Sequence, residues 1–318
     1  MNANSRLGHF PVSFFAVVMG LSGLTIAWEK AAVTLRMPHI VGTALLFAMV
    51  ASFVIVSVLY ATKLLRFPGA VVEELHHPVK ISFFPAFSIS LILLSICILP
   101  ASQSIASILL VAGAVLHLAM TLYVMNAWMH HERFRIEHIN PAWFIPVVGN
   151  ILVPIAGAPL GFTELSWFFF SIGLIFWLVL LTIFFYRITF HQPLPGRLLP
   201  TLFILIAPPA VGFISYIRLT DSLDVFARVL FYTALFLTLV LFSQAVRFAR
   251  IPFFLSWWAY SFPLAAFTVA TQIMYELTGA TVFRLLGYTM LAIASLVVAL
   301  LVVRTVFAIR DREVCVEE

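Results

Sequence analysis

Charge is what this sequence has little of. Asp, Glu, Lys and Arg make up 10% of its 318 residues, against 63% hydrophobic, and the mean hydropathy is +1.10. A water-exposed surface cannot be built from that balance, since soluble domains draw about a quarter of their residues from the charged set. A soluble fold is excluded, and the chain reads as an integral membrane protein. Cysteine is scarcer still: Cys97 sits in an apolar run and Cys315 near the end, so no disulfide framework is expected. The sequence also lacks GxxxxGK[ST], HExxH and GxSxG motifs and any pair of carboxylates inside an apolar run. Nothing therefore points to an enzyme, a cofactor or a nucleic-acid partner.

What is present is a series of apolar runs. A span needs roughly 20 residues to cross about 30 Å of hydrocarbon. Ten fit, near 10–28, 39–62, 82–100, 103–128, 142–158, 165–186, 198–217, 225–246, 254–275 and 282–304, making one transmembrane domain over 1–318. The first lacks a small-residue cleavage site and reaches Trp28-Glu29-Lys30 as a membrane exit, so it is kept as a span rather than a signal peptide. With the N-terminus inside, the tails and the connections after even spans hold Arg6, Lys63, Arg66, Lys80, Arg133, Arg135, Arg187, Arg197, Arg247, Arg250, Arg304, Arg310 and Arg312. Only Lys30, Arg36, Arg218, Arg228 and Arg284 fall on the other side. The positive-inside rule then predicts both termini in the cytoplasm.

A repeat emerges from the prolines. Odd spans contain "HFPVSFFAV", "SFFPAFSIS", "WFIPVVGNI", "LIAPPAVGF" and "YSFPLAAF"; even spans have no internal proline. The unit is a helical hairpin used five times. A mid-helix proline removes a donor and costs about 3 kcal/mol, and is tolerated in membranes where neighbours or a water-filled cavity satisfy the freed carbonyls. Bends at Pro85, Pro146, Pro208, Pro209 and Pro263 therefore suggest an inner ring of odd helices; Pro11 reads as a helix start.

No Asp, Glu, Lys or Arg lies mid-span, which argues against a proton relay. His117 is the clearest ionisable residue within a span and reads as a packing or hydrogen-bonding group. The loop pairs His76-His77 and His130-His131 lack a metal-ligand pattern, so no metal is expected. A weakly binding, uncharged conduit is favoured. The formal charge of +5 would concentrate anions at a basic face, although topology alone explains the same charges.

The stretches "HFPVSFFAVVMGLSGLTIAW", "EELHHPVKISFF", "NPAWFIPVVGN", "LIAPPAVGF" and "SWWAYSFPLAAF" together resemble the family of tellurite-resistance protein A, the slow anion channels and the C4-dicarboxylate (malic acid) transporters, over nearly the whole chain. The resemblance implies an all-α membrane fold of ten helices as five hairpins in quasi-fivefold arrangement around a central pore lined by the odd helices. For bacterial members it implies an inner-membrane homotrimer with a pore in each subunit. It also implies that a phenylalanine of the ninth helix, here Phe262, closes the pore. Plant members carry long phosphorylated tails that this sequence does not match.

Depth bears on Phe262 independently. Arg250 and Glu276 bracket it at 12 and 14 residues, about 18–21 Å on either side, near mid-membrane. A ring there, next to Pro263, would block a narrow apolar pore sterically and by dewetting. Phe15, Ser88, Gly149, Asn150, Gly212 and Ala266 are candidate pore-lining residues, chosen for small size, polarity or depth. Three functions remain: a passive channel for small monovalent anions such as chloride or nitrate, a carrier or exporter of dicarboxylate, sulfite or tellurite-related anions, and an assembly protein with a vestigial pore. The partners expected are small inorganic or organic anions and membrane lipid.

Overall fold

The computed structural model describes residues 3–315, and every regular element among them is helical. In chain order the main segments are α1 (Val12–Thr34), α2 (His39–Arg66), α3 (Lys80–Ile98), α4 (Gln103–His130), α5 (Pro141–Gly157), α6 (Thr163–Phe190), α7 (Gly196–Thr220) and α8 (Val225–Phe242). α9 joins a 3-10 segment, Leu255–Tyr260, to an α-helix, Ser261–Thr278, and α10 is Thr281–Arg310. Eight of these are long and apolar enough to cross a membrane. The two others, α5 and α9, are walled in by protein along most of their length, so they need less apolar length than a lipid-facing helix.

Boundaries depart from expectation where charges find partners. α1 does not stop at Trp28 but continues to Thr34; Lys30 pairs with Glu276 of α9, and Glu29 lies 3.4 Å from His39 Nδ1. α8 ends at Phe242, and Ala245–Ala249 forms a separate turn of helix. The connection after α2 holds a nine-residue helix, Pro68–His76, started by a proline at its first position.

Five hairpins pack as α1/α2, α3/α4, α5/α6, α7/α8 and α9/α10. The odd members also touch in the order α1, α3, α5, α7, α9 and back to α1, closing a ring. Each even helix leans on the next odd one, α10 on α1 included. Burial separates the layers: 61–78% of the central window of α1, α3 and α7 is buried, against 11–39% in the even helices. Exposed apolar side chains such as Ile40, Phe47 and Leu65 on α2 match the lipid surface this layer needs.

Small residues set the closest approaches, as expected where lipid supplies no hydrophobic drive between helices. A Cβ on Gly20 of α1 would lie 2.1 Å from Ser261 Oγ of α9, and one on Gly173 of α6 would lie 2.7 Å from the Ile151 nitrogen of α5. Larger residues at either place would force the helices apart.

The prolines mark where 3-10 geometry passes into α-helix. Pro85 immediately precedes Ala86–Ile98, and Pro146 is third in Phe144–Val148. Pro208 and Pro209 are second and third in Ala207–Thr220, and Pro263 is third in Ser261–Thr278. First-turn N–H groups have no intrahelical acceptor, so proline there loses nothing. The inner helices are interrupted where the prolines fall, but each interruption is a new α start rather than a bend in a continuous α-helix.

Candidate functional site: an axial cavity

The ring encloses a cavity of about 820 Å³ lined by all five odd helices. Its mouth lies at the basic end, where the segments before α1 and after α10 meet: Arg6 Nη2 donates to the Val314 carbonyl at 3.1 Å. Ser13, Ala16 and Met19 of α1, Ala86 and Ile89 of α3, Val148 and Gly149 of α5, Ala207, Pro208 and Val211 of α7, and Ala259, Phe262 and Pro263 of α9 carry it inward.

At the inner end, burial singles out two residues. Phe262 is the one side chain of α9 between 260 and 274 that is not fully buried, and Gly149 the one residue of α5 between 141 and 157. Past Met19 and Phe262 the helices close: residues 20–25 of α1 and 263–274 of α9 are buried throughout. The Phe262 ring reaches across to α1, where its Cδ2 lies 3.1 Å from the position a Cβ on Gly23 would take. Gly23 therefore leaves the room in which the ring sits.

Of the sequence candidates, Phe262, Pro263, Pro208 and Gly149 line this cavity, and eight others do not. Phe15 turns outward and packs edge-on against Phe87 at 5.2 Å and Tyr60 at 6.1 Å. The Ser88 hydroxyl donates to the Pro85 carbonyl at 2.8 Å and meets His117 Nδ1 of α4 at 2.9 Å. Asn150 donates to Thr121 Oγ1 of α4 at 3.0 Å, and Thr121 to the Pro146 carbonyl at 2.6 Å. Gly212 faces Ile151 and Leu230. Ala266 lies one turn past Phe262 and is buried. Pro85, Pro146 and Pro209 stand in the inner helices outside the lining.

Charge is confined to the mouth. Lys63, Lys80 and Arg197 line it together with Glu73, Glu74 and Glu313, three cations against three carboxylates, while no charged side chain reaches the inner end. The face is basic by count along the chain, but the cavity wall itself is balanced. The tightest element is one the sequence did not reveal. Lys63 Nζ donates to Glu74 Oε2 at 2.8 Å and to the Phe10 carbonyl at 2.9 Å, Tyr60 donates to Glu74 Oε2 at 3.0 Å, and the Val12 N–H to Glu74 Oε1 at 2.8 Å. Both charged groups are nearly inaccessible, at 3% and 6% exposure. Nearby, burial pushes the Cys315 thiol above its usual range, with Arg6 and Lys63 pulling the other way. No cluster of three or more His, Cys, Asp or Glu suited to a metal occurs among the described residues.

A multi-pass helical bundle built around an axial cavity is the architecture of a membrane channel or transporter. Residues 9–306 match the family model described as SLAC1, voltage-dependent anion channel, and the chain belongs to that family. It is 31% identical over 315 residues to the S-type anion channel SLAH3 of Arabidopsis thaliana, covering 95% of this chain and 49% of that protein. Identity to the guard cell S-type anion channel SLAC1 of the same plant is 27%, over 93% of this chain and 55% of the relative. The chain thus spans about half the length of these plant relatives. The tellurite resistance protein TehA homolog of Haemophilus influenzae is 25% identical, over 93% of this chain and 90% of its own.

Proposed function

We propose that the chain is a passive channel for small monovalent anions, chloride and nitrate among them, and that the Phe262 ring is its gate. One observation carries the reading: the cavity lined by five helices ends at a partly buried aromatic side chain, Phe262, past which α1 and α9 are buried. An ion stripped of water against an apolar constriction meets a dewetting barrier as well as a steric one. The uncharged inner wall supports rapid passage rather than tight binding, because selectivity by strong ligation would slow release. In this reading the basic end faces the cytoplasm of a bacterial inner membrane, supported by the concentration of Lys and Arg there. The working unit is a homotrimer, carried over from the family resemblance.

The test is current in planar bilayers from equally reconstituted proteins. Phe262→Ala should raise chloride current by about tenfold or more over wild type, since it removes both the ring and the dry constriction. Reversal potentials should follow the chloride gradient and ignore an imposed pH gradient. Absence of current from both wild type and Phe262→Ala would overturn the channel reading in favour of a carrier.

A further inference from the structure

We propose that Lys63 is an anion-binding subsite on the cavity wall whose strength is set by Glu74, and that it takes a small inorganic anion, a halide or a compact oxyanion. The inference rests on the reading that anions enter this cavity. An ammonium carries three N–H donors, and two of those on Lys63 are committed, to Glu74 Oε2 and the Phe10 carbonyl. Its third neighbour is an aromatic face, the Tyr60 ring centred 5.5 Å from Nζ, which attracts the ammonium weakly and offers no hydrogen-bond acceptor oxygen. Lys63 and Glu74 both belong to the cavity lining; with only 3% of the lysine side chain exposed, the remaining donor is the one part of it that an anion pressed against the wall can use.

Glu74 tunes this subsite through charge rather than position. Its two oxygens hold Val12 N–H, Tyr60 O–H and Lys63, tying the start of α1 to the end of α2. In a poorly solvated wall an uncompensated ammonium would hold an anion strongly, and an uncompensated carboxylate would repel it. Conduction needs binding strong enough to admit an ion and weak enough to release it. A lysine cancelled by a carboxylate at 2.8 Å meets that requirement, and it accounts for Glu74 in the mouth of an anion pathway.

The test measures chloride binding to the detergent-purified protein by quadrupolar NMR line broadening, a readout that does not depend on conduction. Glu74→Gln keeps the hydrogen-bond acceptor and removes the charge; it should lower the half-saturating chloride concentration about fivefold. Lys63→Met should raise it by a similar factor, and the double variant should return to within about twofold of wild type. A strap with a purely structural role moves both single variants in the same direction, and that result, or no shift in either, overturns the proposal. If Lys63→Met does not fold, Glu74→Gln is compared with Glu74→Asp: tighter chloride binding in Gln alone supports the subsite, and equal behaviour overturns it. Absence of current from Phe262→Ala would remove the channel reading and leave this binding result standing, whereas normal currents with unshifted binding would remove only the subsite.

Discussion

Toward the basic end, α1 and α9 stand apart and turn Ser13, Ala16, Met19, Ala259 and Phe262 toward an enclosed space. Less than a turn farther along, the same two helices bury residues 20–25 and 263–274 against their neighbours. The wide half begins in 3-10 geometry; the tight half, which in α9 starts at Pro263, is regular α-helix faced largely with Gly, Ala, Ser and Thr. The hydroxyls of the tight half are spent locally. Ser22 donates to the Val18 carbonyl, Thr25 to Leu21, Thr268 to Leu264 and Thr271 to Phe267. Back-bonding of this kind hides polarity within the helix. A path opened past these hydroxyls would therefore be apolar in character; Gln272, buried with neither amide atom hydrogen-bonded, is the exception in this half.

Three substitutions test that contrast. The largest effect belongs to Gly20→Val, whose Cβ would meet Ser261 Cβ at 2.8 Å and the Trp258 ring at 2.9 Å. Overpacking costs about 1–3 kcal/mol and more where backbones cannot part, so the variant should melt well below wild type in detergent; an unchanged melting temperature would show that the tight half yields. Gly23→Ala is intermediate. It would crowd the Phe262 ring at 3.1 Å and Ala265 at 3.0 Å, destabilising wild type by about 1 kcal/mol and Phe262→Ala by distinctly less. A coupling of about 0.5 kcal/mol or more in the double-mutant cycle is expected, and strict additivity would separate Gly23 from the ring. The smallest belongs to Ala259→Leu in the wide half, where stability should change by less than about 0.5 kcal/mol. Current through Phe262→Ala should nevertheless fall, as bulk is added to the lining.

The ring of hairpins was legible because its signals are local: proline in alternate runs, Lys and Arg in alternate connections. The site was legible in height but not in rotation. Phe15, Ser88, Asn150 and Gly212 were chosen for small size, polarity or depth, and in each case an adjacent residue, Ala16, Ile89, Gly149 or Val211, lines the cavity instead. One residue along a helix is about 100° of turn, so a small register error points a side chain at the outer layer. Polarity misled in the same places, since Ser88 and Asn150 turn toward His117 and Thr121 of α4. The Lys63–Glu74 pair was hidden for a different reason. Lys63 was counted as a loop charge, while it ends α2 and Glu74 rides on the short helix that follows; their meeting over Val12 depends on tertiary placement that neither periodicity nor spacing encodes.

The contact of α1 with α9 joins segments about 240 residues apart, and this separation governs how the protein can be made. Chains emerge at about 5–20 residues per second, so α1 spends many seconds in the membrane before its partner exists. Its glycine face, Gly20 and Gly23, must meanwhile rest against lipid or a passing insertion factor. Four hairpins make an open arc, and only the fifth seals the wall. Until then the nascent protein has a lateral slot where the finished one has a closed wall.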